Sequence, residues 1–188
     1  MDTNGCRTGL WGAENVWTGS SKCLKGGSMN VLIMYYSKGG NTRKLAEAIA
    51  EGVGQVDGVE AVLRHTRDVS KDDFVVADGL IVGSPVYFGT MAAQLKQVID
   101  KFVSVRKKTE NKVGAAFTTS GDASGGKETT MMSILQALLI YGMIIVGDPM
   151  TATGHYGTAC VGVPDAAARE NGRKLGRRVA ELVMRLAR

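Results

Sequence analysis

Residues 31–53, VLIMYYSKGGNTRKLAEAIAEGV, decide how the rest of the chain is read. Val31–Tyr36 is a short apolar run of strand type. Leu45, Ile49 and Val53 then recur at four-residue spacing, which makes 42–53 an amphipathic helix. Between them stands SKGGNT, residues 37–42: small and polar, at a strand-to-helix junction. Small residues there let backbone N–H groups converge on an anion, and the helix N-terminus adds a favourable dipole. The alternative is an ordinary turn with Asn41 as N-cap. The loop has neither the Walker G-x-x-x-x-G-K-[ST] spacing nor G-x-G-x-x-G, which disfavours an NTPase or a dinucleotide site.

The same alternation continues outward. Val59–Arg64 reads as a second strand, Asp72–Ala77 as a weak helical turn and GLIVG, 79–83, as a buried strand. Met91, Leu95, Val98, Ile99 and Phe102 mark one helix face. Strands at Lys112–Thr119 and Met143–Val146 flank a helix at Lys127–Leu139, and Leu175, Val179, Leu182, Val183 and Leu186 mark a last amphipathic helix. Strands alternating with helices predict βαβ units and a five-stranded parallel sheet in the order 2-1-3-4-5. Such a sheet puts its site on the loops after strands 1, 3 and 4.

The loop after strand 3 is SPVYFGTM, residues 84–91. Pro85 stiffens it, Val86, Tyr87 and Phe88 offer a surface on which a flat ring can stack, and Gly89 allows close backbone contact. Equally, the two aromatics can simply cover the helix that follows. The loop after strand 4 is TTSGDASGG, residues 118–126. Thr119, Ser120, Gly121, Asp122, Gly125 and Gly126 offer backbone N–H groups and hydroxyls to the polar edge of a heterocycle, or form a flexible surface loop. One loop for phosphate, one for a ring and one for a polar edge match the three parts of FMN.

Composition narrows the classes. The 188 residues suit one domain; 23 Lys and Arg against 18 Asp and Glu give a net charge of +5. That favours small anions but is too mild and scattered to argue for nucleic acid. Arg173, Lys174, Arg177, Arg178 and Arg185 fall at helical spacing, as a solvated helix face does. Cys6, Cys23 and Cys160 form no C-x-x-C pair, so neither a disulfide framework nor a metal or iron–sulfur site is expected, and a reducing cytoplasm fits. The longest apolar run, 134–146, is too short to span a bilayer. Residues 1–28, rich in Gly, Ser, Thr and Asn, are expected to be a disordered extension ahead of the 29–188 domain, or a packing arm carrying Trp11 and Trp17.

YYSKGGNTRKLA, GSPVYFGTMAAQLKQVID, FTTSGDASGGKETT and YGMIIVG resemble the flavodoxin superfamily over residues 30–188, and most of all its tryptophan-repressor-binding-protein family of NAD(P)H:quinone oxidoreductases. The resemblance implies a flavodoxin-like three-layer sandwich with FMN as cofactor and NAD(P)H as transient electron donor. It also implies a quinone or similar acceptor and a homodimer or homotetramer. Carried over residue by residue, Ser37, Lys38, Gly39, Gly40, Asn41 and Thr42 hold the FMN phosphate, residues 86–88 flank the isoalloxazine, and residues 120–126 meet its pyrimidine side and ribityl region. Tyr141 stands where the family usually has a histidine near the flavin, Gly39 where it often has an aromatic, and Ser104-Val105-Arg106 where it has Gly-Gly-Leu-Trp. The stretch from Asp148 to His155 is shorter than usual. His155-Tyr156-Gly157 resembles the family's Pro-Tyr-Gly turn near the flavin edge, where His155 can donate to an acceptor oxygen or simply be exposed. Rival readings are an electron carrier, which is typically acidic, an iron–sulfur flavoprotein, which needs a cysteine cluster, and an inactive regulator.

Overall fold

The structure, a computed structural model, describes residues 28–187. The expected extension at 1–28 lies outside them except for Ser28. The elements run β1 Met29–Tyr35, α1 Asn41–Val53, β2 Val59–His65, α2 Lys71–Val76, β3 Gly79–Pro85, α3 Ala93–Lys101, β4 Val113–Ser120, α4 Lys127–Ile140, β5 Ile144–Ile145, β6 Gly157–Val161 and α5 Ala166–Leu186. A 3-10 turn at Val103–Lys108 joins α3 to β4.

All strand pairings are parallel, in the expected order 2-1-3-4-5. Strand alternation sorts the core into two halves. Val31, Ile33 and Tyr35 of β1 face α1 and α5 with Ile81, Phe117, Leu175 and Val179. Leu32 and Met34 face the other way, onto Phe74, Leu95, Ile134 and Leu138 of α2, α3 and α4. Both halves are apolar because a parallel sheet is covered on both faces. Where α1 crosses α5, a Cβ at Gly52 would strike the Arg173 carbonyl and one at Gly176 the Ile49 carbonyl. Glycine inside these two helices is the condition of their close approach.

The fifth sheet position differs from the sequence expectation of one strand at 143–146. It is split: β5 pairs with Val113 and Gly114, and β6 pairs with Ala116–Ser120. The chain between them leaves the sheet and folds around Asp148, which is buried. Its carboxylate accepts from Thr153 N at 2.9 Å, His155 N at 2.7 Å and the Thr153 hydroxyl. Arg178 of α5 donates to the carbonyls of Gly147 at 3.0 Å and Asp148 at 2.8 Å. Among the described residues, no helix is long and apolar enough to cross a membrane.

Candidate functional site

The loops after β1, β3 and β4 meet at the carboxyl end of the sheet. Thr42, in the first turn of α1, and Thr119, near the end of β4, are both buried and share a hydroxyl–hydroxyl bond of 2.8 Å. Val86 N donates to the Thr119 carbonyl at 2.8 Å, which fixes the second loop to the same strand. The Thr118 hydroxyl donates to the Ser84 carbonyl at 2.7 Å, and Ser84 Oγ accepts from Ala92 N at 2.8 Å. The second and third loops also touch: a Cβ on Gly126 would lie 3.0 Å from Gly89 Cα.

The cradle is shaped by Gly40. Its φ of +88° is in the left-handed region, where a side chain costs about 1–2 kcal/mol. Its N–H donates to Ser37 Oγ at 3.0 Å, closing the turn. Gly40, not Asn41, is the N-cap of α1, and no side chain caps that helix. A Cβ at Gly39, Gly40 or Gly121 would meet no protein atom within 4 Å, so the space over these loops is open. Gly126, at φ +78°, likewise opens α4 without a side-chain cap. In the first turn of α4, Thr130 Oγ1 is fully buried and is the one buried side-chain polar atom without a partner among the described residues.

The second loop is a tight hairpin turn. Tyr87 and Thr90 exchange two backbone hydrogen bonds of 3.1 Å across Phe88 and Gly89. Both central residues have positive φ, 52° for Phe88 and 76° for Gly89, the signature of a type I′ turn. Phe88 is fully exposed. A bulky aromatic held in a strained conformation with its ring in solvent is a recurrent mark of a ligand clamp. Tyr87 is partly covered by Tyr36, with ring centroids 6.3 Å apart, and burial pushes its phenol up. In the third loop Asp122 accepts from Ser124 N at 3.0 Å and Ser124 Oγ at 3.1 Å, which holds its carboxyl below the usual range. Ser120 Oγ donates to the Asp122 carbonyl at 2.7 Å.

Residues 37–42, 85–89, 119–122 and 125–126 are therefore brought together, as the sequence suggests. Two expected residues are not. Tyr141 ends α4 at the opposite, amino end of the strands. It is buried against Phe74, and its hydroxyl donates to the Ile99 carbonyl at 2.6 Å. Burial pushes its phenol up to about 12. It is a core residue, not a neighbour of the three loops. His155 is exposed on the lateral edge of the sheet. Gly157 pairs with Ala116, four residues short of Ser120 and thus roughly 13 Å back from it. His155 lines a hollow of about 220 Å³ with Glu128, Met131 and Asn171. A larger groove, about 580 Å³, runs along the basic face of α5, away from the three loops. Ser84 was legible only as part of a loop. Its task, tying that loop to α3, leaves no signal in the sequence beyond a serine before proline.

The three loops fit FMN: open space over Gly39, Gly40 and Gly121, and helix starts without side-chain caps at α1 and α4 for a phosphate. A family model described as NADPH-dependent FMN reductase matches residues 70–158. A flavodoxin from Aquifex aeolicus is 37% identical, over 81% of this chain and 86% of that protein. An NAD(P)H dehydrogenase (quinone) from Archaeoglobus fulgidus is 35% identical, over 83% of this chain and 98% of that one. Among solved structures, a flavodoxin, WrbA-like protein from Agrobacterium tumefaciens superposes with a TM-score of 0.73 at 26% identity, covering 84% of this chain and 99% of that one. The chain belongs to the flavodoxin superfamily, within its tryptophan-repressor-binding-protein-like family of FMN-dependent NAD(P)H oxidoreductases.

Proposed function

We propose that the chain takes reducing equivalents from NAD(P)H and passes two electrons to a quinone or a similar small acceptor. The observation that carries this reading is the meeting of the loops after β1, β3 and β4, with open space over Gly39, Gly40 and Gly121 and helix starts without side-chain caps at α1 and α4. Ser37–Thr42 would bind the phosphate through backbone N–H groups and the Ser37, Asn41 and Thr42 side chains. Pro85–Gly89 would flank the ring system, and Thr119–Gly126 would donate to its polar edge. Bound there, FMN supplies the hydride-accepting and electron-donating chemistry. The chain's own part is binding, orientation and exclusion of water, with Tyr87 and Phe88 bordering the face that a nicotinamide and a quinone would use in turn.

A flavodoxin-type carrier is the second reading, favoured by the flavodoxin among the relatives. Such carriers dock through acidic surfaces, and this chain carries +5. A homodimer or homotetramer suits the exposed Phe88 and the exposed apolar residues Met132, Leu139 and Ile140 of α4, and a cytoplasmic location suits the unpaired Cys160. Steady-state rates with NAD(P)H varied at several fixed quinone concentrations test the enzyme reading. Parallel reciprocal plots are expected, because donor and acceptor share one face. Intersecting lines would mean separate sites, and no quinone turnover at all would leave the carrier.

A further inference from the structure

Tyr36 stands between β1 and the 37–42 cradle and is not among the residues placed against FMN. Its backbone is tied to the sheet. The Tyr36 N–H donates to the Gly83 carbonyl at 3.1 Å, and the neighbouring Tyr35 carbonyl accepts from Thr66 N at 2.9 Å. Its ring meets two others. His65, the last residue of β2, packs tilted against it with centroids 5.6 Å apart, and Tyr87 meets it edge-on at 6.3 Å and 72°. His65 is itself held: its Nδ1 accepts from the Arg67 N–H at 3.2 Å, and its ring stands edge-on to the buried Tyr35 at 5.4 Å. Tyr87 is placed differently. It begins the turn over Phe88 and Gly89, and among the described residues Tyr36 is the one aromatic ring packed on it. Burial, with the Tyr36 phenol beside it, pushes the Tyr87 phenol up.

We propose that Tyr36 is a positioning residue of the flavin site, acting through Tyr87 by holding that ring where it borders the isoalloxazine. The proposal rests on the reading of 85–89 as the stretch that flanks the ring system. Edge-on aromatic pairs at this spacing attract beyond the area they bury, and they do so in a restricted geometry. A ring carried on a strand end tied to both neighbouring strands sets the orientation of a ring carried on a turn, and not the reverse. Rotating the Tyr87 side chain away from Tyr36 forfeits the contact. With Tyr36 gone, no other aromatic ring among the described residues opposes that rotation. A contacting group is only as well placed as the residues that lock its rotamer. Two other roles for Tyr36 predict different behaviour. Direct contact with the flavin, or simple support of the end of β1, would act whether or not residue 87 is aromatic.

The test is a double-mutant cycle over Tyr36→Leu and Tyr87→Leu in the full chain, with Tyr36→Phe as the conservative variant. FMN affinity is read by fluorescence titration of the apoprotein. Visible circular dichroism at saturating FMN is read beside it, because that signal follows the asymmetry of the groups around the flavin and not the affinity. Tyr36→Leu is expected to bind FMN about two- to tenfold more weakly, the worth of one aromatic pair. Its flavin dichroism should move toward that of Tyr87→Leu. Tyr36→Phe keeps the ring and should match wild type in both readouts. In the Tyr87→Leu background, Tyr36→Leu should add no further loss. Losses that add, wild-type dichroism in Tyr36→Leu, or Tyr36→Phe as weak as Tyr36→Leu would each overturn the proposal. Tyr87→Leu that matches wild type in both readouts would instead overturn the reading of 85–89 on which the proposal rests.

Discussion

Among the described residues, all five α-helices begin at the carboxyl end of the sheet, but they begin in two ways. α2 is capped by Ser70 in a full capping box with Asp73, and α5 by Asp165, which accepts from Ala168 N at 2.7 Å. α1, α3 and α4 open on Gly40, Ala92 and Gly126 with no side-chain cap. A helix start leaves up to four N–H groups without intrahelical partners, and a cap is worth about 1 kcal/mol. The helices after β2 and β6 complete themselves. Those after β1 and β3, which flank the switch in strand order, and after the neighbouring β4 leave donors for something else. Stability is forgone on one side of the comparison only, and on that side we propose that the flavin binds.

The largest expected effect is Gly40→Val. A β-branched residue at φ +88° adds strain and fills the open space beside the N–H groups. Lost phosphate contacts and strain together predict a fall in FMN affinity of roughly a hundredfold or more, read as flavin content and dissociation constant. Asn41→Asp sharpens the contrast. α1 has no acidic residue in its first turn, so the apoprotein should gain about 0.3–1 kcal/mol in a denaturant melt. FMN should bind about tenfold more weakly through charge repulsion. A variant with unchanged FMN affinity would break the comparison.

Controls on the other side should move stability and leave flavin alone. Tyr141→Phe removes the bond to Ile99 O and should cost about 1–2 kcal/mol with FMN affinity unchanged. Because burial raises the Tyr141 phenol to about 12, its contribution is present below pH 10 and is lost as pH rises from there toward 12, so the alkaline limb of a wild-type stability profile should flatten in the variant. Ser70→Ala should cost about 1 kcal/mol, again without effect on FMN.

The first βα unit was legible because Val31–Tyr36 and the Leu45–Ile49–Val53 spacing each have one consistent reading, and the three loops followed from it. Tyr141 was misplaced because proximity to the site was inherited from resemblance. The 14 residues of α4, at about 1.5 Å each, carry the chain roughly 21 Å back to the amino end of the strands. β6 was missed because Gly157-Thr158-Ala159-Cys160-Val161 is short, and its pairing with β4 is a long-range choice with little local pattern. The start of α5 at Ala166 was missed because its first turns carry alanines and polar residues, and Asp165 alone signals the cap.

The most direct measurement is anaerobic stopped-flow mixing of the FMN-loaded protein with NADH and with NADPH, followed by a quinone. Expected is saturable bleaching of the flavin band by at least one nucleotide and its full return on adding the quinone. A flavin band untouched by either nucleotide, in protein shown to hold FMN, would contradict the enzyme reading and leave a carrier reduced by another protein.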